Sequence, residues 1–212
     1  MRLDGDFDGD SARRVLADAW ERWARRCEQL TAQEWSTSTR CEGWNVAALL
    51  AHVCPEPSMF DRLTGAVVDG PAAVTDAATM LRRFNEPDGV ANTNAGSLAE
   101  QAVWEAAALT PRTAAQRFVE SARVLRDTPM SAETTIAYPV VGSTTLAVVA
   151  ETALMEATVH LLDLADAVGG VEPSAAALCA ARDLLICVPD ALSAVEVLSG
   201  RAAPERAIPA IR

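Results

Sequence analysis

The sequence predicts an all-α protein built as a helix bundle, and three observations carry that prediction. Half of the residues are hydrophobic, led by Ala, Leu and Val, a mixture that favours helices. Apolar residues recur at helical spacing in the long segments, whereas the strict alternation of half-buried strands is nearly absent. Capping residues, prolines and glycines punctuate the chain at helix-length intervals. A chain of 212 residues is large enough to bury a proper core as one domain. The expected organisation is a single helical domain over 1–212, with 1–9 and 205–212 loose.

In chain order, the Asp- and Gly-rich residues 1–9 are expected to fray. Asp10 or Ser11 caps a first helix to about Leu30, whose Val15, Leu16, Ala19, Trp20, Trp23 and Cys27 recur with a helical period and belong to the core. Leu30 to Trp35 reads as a short turn, and Asn45 as the cap of a second helix with His52 on its last turn. Cys54-Pro55-Glu56-Pro57 must end or kink that helix, because proline lacks the amide donor and restricts the residue before it. A helical segment from about Glu56 to Val68 follows, then turn-rich chain over 69–96 with a short helix around Val74–Phe84. Ser97 caps a helix from Leu98 to about Leu109, and Thr110-Pro111 fits a cap with proline at the first helical position. Periodicity leaves open whether one kinked helix or two cover this region. Residues 128–144 are the one extended piece. The longest helix is expected over Thr145 to Val168, opened by Gly142-Ser143-Thr144 and closed by Gly169-Gly170, which accepts a left-handed helix end. Pro173 restarts a helix through Cys187, Pro189 starts a last one ending near Ser199-Gly200, and the tail after Pro204 is loose.

Polar side chains are few in the longest helix, so their phase is informative. Glu156 and His160 are four apart on one face, and Asp163 extends it. Burying such groups unpaired among Ala, Val and Leu is costly. The only other histidine, His52, also lies on an apolar helix. Convergence of His52, Glu156 and His160 on one divalent metal accounts for all three. Two imidazoles and a carboxylate suit zinc, with nickel, manganese or iron as alternatives, and three protein ligands leave positions for water or substrate. Blander readings stand beside this one: a surface i, i+4 pair for Glu156 and His160, and a hydrogen-bonded core histidine for His52. Cys54 competes as a ligand, but two residues after His52 it points away on a regular helix, so a buried free thiol is its better reading. Asp163 is either an acceptor that orients a ligand imidazole or an exposed helix residue. No catalytic residue beyond the metal ligands is singled out.

The formal net charge of −11 argues against nucleic-acid binding, since no basic stripe is present to replace phosphate counterions. The five cysteines make an odd count with no C-x-x-C pair, which is no disulfide framework. With no signal peptide and no clean bilayer-length apolar run, the expectation is a soluble cytoplasmic protein that engages no membrane.

Several segments together resemble the DinB-like superfamily, in its mycothiol-dependent maleylpyruvate isomerase branch. They are Leu30 to Trp35, Thr39-Arg40-Cys41-Glu42-Gly43-Trp44-Asn45-Val46, Leu49-Leu50-Ala51-His52, and Glu156-Ala157-Thr158-Val159-His160-Leu161-Leu162-Asp163. Val197 to Pro204 resembles that branch's G-R-x-P close. The resemblance implies a four-helix bundle of up-down-down-up type. It also implies a divalent metal, usually zinc, on His52, Glu156 and His160, and a low-molecular-weight thiol, mycothiol, as co-substrate. The Cys54-Pro55-Glu56-Pro57 insert departs from the family pattern.

The expected function is metal-dependent thiol transfer to, or isomerisation of, a small electrophile, with loops around 85–96 and 128–142 shaping the pocket. Two alternatives are a thiol-independent lyase, cyclase or isomerase acting on a small carbonyl compound, and a non-catalytic metal-binding stress protein. The expected partners are a small electrophile and a small thiol, and a homodimer is open to the chain.

Overall fold

The computed structural model describes residues 9–127 and 131–207. The fold is all-α, with eleven α-helices and one short hairpin among these residues. Four helical positions make the bundle: α1 (Gly9–Gln29), a second position shared by α3 (Val46–Val53) and α4 (Met59–Gly65), α8 (Pro111–Asp127) and α9 (Leu146–Val168).

Contacts between the helices give their directions. Trp23 Nε1 donates to the Ala157 carbonyl, and Arg26, near the end of α1, donates to Val168 and Gly169 at the end of α9, so α1 and α9 run parallel. Arg13, early in α1, donates to the carbonyl of Leu125 late in α8, so α8 runs against α1. Cys54, just after α3, faces Ala114 early in α8, while Leu63 of α4 shares a pocket wall with Leu125. The broken second position therefore runs with α8, and the order is up, down, down, up.

The core lies where the four positions meet. Leu16 and Trp23 of α1, Leu49 and Leu50 of α3, Phe118 of α8 and Leu161 of α9 are all buried there. Trp23 stacks on Phe118 with ring centroids 5.6 Å apart. Burial of such side chains from water is the main stabilising term. Arg26 is also buried; it pairs with Glu34 and closes the carbonyl end of α9, where a cation is favoured.

Several expectations are corrected. Leu30 to Trp35 is not merely a turn: Thr31 and Glu34 form a reciprocal capping box around α2 (Ala32–Trp35). The segment after the prolines is shorter than Glu56 to Val68, because Ala66 and Val68 leave the helix to bond with the hairpin. The turn-rich region holds α5 (Ala77–Phe84) and the single turn α6 (Val90–Thr93). Ser97 caps nothing; it lies inside α7 (Ala95–Ala106). Where periodicity leaves one helix or two open, two helices cover 95–127, since Pro111 opens α8 afresh.

The extended piece is the antiparallel hairpin of β1 (Thr135–Tyr138) and β2 (Gly142–Thr145). Gly142-Ser143-Thr144 is therefore strand rather than a helix-opening turn, and Thr145 caps α9 by accepting from the Val148 amide. Ala66 and Val68 extend one edge of the hairpin and Val74 the other, so neither edge is bare. Gly169 closes α9 with φ +63°.

α10 (Ala175–Leu185), capped by Ser174, packs on α9, and α11 (Ala191–Leu198) follows with Asp190 as its cap. Pro204–Arg206 forms one 3-10 turn in the expected tail, and Arg206 pairs with Glu196. The rest of that expectation, 208–212, and residues 1–8 of the other end lie outside the described residues. Among the described residues, no helix is long and apolar enough to cross a membrane.

Candidate metal centre

The loop before α3 is a compact device with a local cause for each residue. Thr39 Oγ1 accepts from the Cys41 amide and donates to the Trp44 carbonyl. Gly43 takes φ +79°, a conformation that side-chain-bearing residues rarely adopt. Asn45 then caps α3 by accepting from the Ala48 amide at 3.0 Å. This loop carries Arg40, Cys41 and Trp44 to α9, while α3 carries His52 to the same place.

The structure brings together the three residues expected to form the centre. One donor atom each from His52, Glu156 and His160 lies within 4.8 Å of the others. Glu156 Oε2 is 3.4 Å from His160 Nε2 and 4.0 Å from His52 Nε2. The two imidazole centroids are 5.1 Å apart. Trp44 lies against both rings, at 4.9 Å from His52 and 6.2 Å from His160. Its Nε1 is buried and has no acceptor among the described residues. The His52 side chain keeps 30 % of its surface exposed and that of Glu156 keeps 42 %, so the cluster opens to solvent on one side.

Asp163 is buried, which removes the exposed-residue alternative. Its Oδ2 lies 2.8 Å from His160 Nδ1, and its Oδ1 accepts from Arg40 Nε at 2.6 Å. The Cys41 thiol donates to Oδ2 at 3.3 Å. Burial works against the charge on Asp163, but bonds from His160, Arg40 and Cys41 outweigh it and hold the carboxyl at about 2. Burial likewise opposes a charged His160 and is the largest single influence there. Its bonds to Asp163, Cys41 and Glu156 together prevail and push the ring up to about 11. Burial lowers His52 from its ordinary value, helped by the nearby His160. Burial, helped by the Glu156 charge, raises Tyr138 at the end of β1, and the Tyr138 ring stacks on Phe84.

Cys41, His160 and Asp163 also group within 4.8 Å. Asp163 is already engaged by the Arg40 cation, so this second group is a hydrogen-bonded anchor rather than a second cation position. Cys54 is no ligand; it is buried, donates toward Ala114 and is pushed up to about 12 by that burial. All five cysteines are free.

The sequence alone gives Arg40, Trp44 and Tyr138 no role. The signal for the first two was the density of special residues between Thr39 and Asn45. For Tyr138 it was singularity, since the chain has one tyrosine. Tyr138 belongs to the 128–142 segment, within β1. The charge of Glu105, on α7, also acts on the His52 imidazole.

Comparison with curated proteins and with solved structures gave no match. The family model described as the mycothiol maleylpyruvate isomerase N-terminal domain matches residues 16–165, a span that holds Arg40, Trp44, His52, Glu156, His160 and Asp163. With well over half of its length matched by that model, the chain belongs to the mycothiol maleylpyruvate isomerase N-terminal domain family.

Proposed function

We propose that the protein is a metal-dependent enzyme. It uses a low-molecular-weight thiol, mycothiol by the family's name, in transfer to or isomerisation of a small electrophile. The observation that carries the reading is the convergence of His52 and His160 Nε2 on Glu156 Oε2. Donors about 2.1 Å from a tetrahedral ion lie roughly 3.4 Å from one another, so separations of 3.4 and 4.0 Å fit one ion with little adjustment. The donor chemistry favours zinc, with nickel, manganese or iron as alternatives.

A bound divalent ion would supply acidity to a coordinating thiol, whose free pKa of about 8.5 leaves it mostly protonated at neutral pH. The remaining work falls to the chain. His52 and His160 would hold the ion through Nε2, His160 once the ion has displaced its Nε2 proton, and Glu156 would offset part of the ionic charge. Asp163 accepts from His160 Nδ1 and so keeps Nε2 for the ion, and Arg40 keeps Asp163 ionised. Trp44 shields one side of both imidazoles from water. Five free thiols suit a reducing, cytoplasmic compartment. The partners are the thiol and the electrophile rather than nucleic acid or a membrane.

Elemental analysis of purified protein tests the reading, together with turnover of an electrophile with and without thiol. One metal ion per chain and thiol-dependent turnover are expected. His52→Ala and His160→Ala should lose both while circular dichroism keeps its helical signature. Turnover that persists without thiol would replace this reading by the thiol-independent lyase or isomerase. Metal-free wild-type protein would remove both.

A further inference from the structure

A second feature, one helical turn from the proposed metal ligands, is an apolar pocket between α1, α4, α8 and α9. Trp20, Phe60, Leu63, Leu125, Val149 and Ala153 form its walls. Its cause is local. The Cys54-Pro55-Glu56-Pro57 break detaches α4 from the line of α3, and no residue of α4 is buried. On the opposite wall α9 presents alanine at 150 and 153, too small to fill the space that results.

Along α9 the pocket wall ends one turn before the proposed metal ligands. Ala153 precedes Glu156 by three residues, about 4.5 Å along the axis, and Val149 precedes it by seven, on the face that carries Glu156 and His160. Charge is nearly absent from the lining. Arg13 is the ionisable residue there, and its guanidinium already bonds the Leu125 carbonyl at 2.8 Å and pairs with Asp10 at 3.7 Å. The walls therefore offer hydrocarbon and aromatic surface, with no ready partner for a carboxylate.

We infer that this pocket seats the uncharged hydrocarbon part of the electrophilic substrate, an aliphatic or aromatic group of several carbons, while the reacting end lies at His52, Glu156 and His160. This rests on the proposed metal-centre reading. It narrows the substrate class to electrophiles with a neutral apolar tail, as against small dicarboxylates.

The test uses 1-hexanol as a neutral probe and adipate as a dianion of the same carbon number. Binding is followed by calorimetry and by the fluorescence of Trp20, which lines the pocket. Saturable 1-hexanol binding is expected, with adipate at least about tenfold weaker. Ala153→Phe fills the pocket from α9 and should weaken 1-hexanol about tenfold or more. Leu63→Trp fills it from α4, which has no buried residue, and should do the same should the first variant fold poorly. Both should keep the wild-type zinc content, and His160→Ala should lose zinc yet keep its 1-hexanol affinity. The inference is overturned if 1-hexanol does not saturate, if adipate binds as tightly, or if neither folded filling variant weakens binding. Zinc content is read separately, so wild-type protein that binds 1-hexanol but no zinc overturns the metal reading, and protein that binds zinc but no 1-hexanol overturns the pocket.

Discussion

At the scale of single residues, Asp163 is the hinge of the candidate centre. It joins the Thr39–Asn45 loop to His160 through two strong, charge-assisted contacts. Asp163→Asn weakens both and removes the anion that fixes the His160 tautomer. Zinc affinity should fall by about 10–100-fold, as is usual when the partner of a ligand histidine is lost, and competition with a chromogenic chelator measures it. The pH dependence has two opposing parts. His160 is raised from 6.5 to about 11, so in chelator-treated protein its pairing stabilises the fold fully below pH 6.5 and is lost as pH climbs towards 11. Asp163 is lowered from 3.8 to about 2, so its contribution is full above 3.8 and lost as pH falls through about 2. Zinc competes with the proton for Nε2 and gains as pH rises. Between about pH 6 and about pH 9, the melting temperature of stripped protein should therefore fall while the increment on adding zinc grows. An equal increment at both ends would contradict competition at Nε2.

At the scale of elements, the centre depends on a short helix being started in the right place. α3 has eight residues, too few to be stable alone, and Asn45 supplies its side-chain cap. Asn45→Ala should cost about 1 kcal/mol in urea denaturation and should lower zinc affinity as well, because α3 delivers His52. Unchanged zinc affinity in that variant would mean that packing by Trp44 alone holds His52 in place. The cap was legible in the sequence, as were the break at Pro55 and Pro57 and the glycine stop of α9, because each is specified within a few neighbouring residues. The start of α9 lies a few residues later than local chemistry suggests. Gly142-Ser143-Thr144 has cap-like hydroxyls, but pairing with β1 claims those residues for a strand. Ser97 is likewise cap-like in type, but the chain enters α7 earlier, from Asn94.

At the scale of the whole molecule, stability should rest on the aromatic centre rather than on the metal cluster. Phe118 is fully buried and stacked on Trp23, which also bonds the α9 backbone. Phe118→Ala should cost about 3–5 kcal/mol in denaturant unfolding, through lost burial and the cavity left behind. Below its melting point that variant should bind zinc at the wild-type stoichiometry, since it leaves every proposed ligand in place. Loss of the site at temperatures where the fold persists would show that centre and core are one cooperative unit.

The sequence by itself determined the helical class, most helix positions and the shared face of Glu156 and His160, because helical period, caps and breakers act over a few residues. It held the His52 candidate too, but it could not bring that residue to its partners. Only the tertiary structure decided that His52 faces Glu156 across more than a hundred residues, that Arg40 and Cys41 close on Asp163, and that a broken helix leaves an apolar pocket beside them. Those contacts depend on how whole helices pack, and the spacing of residues along one chain does not encode a distance between two helices.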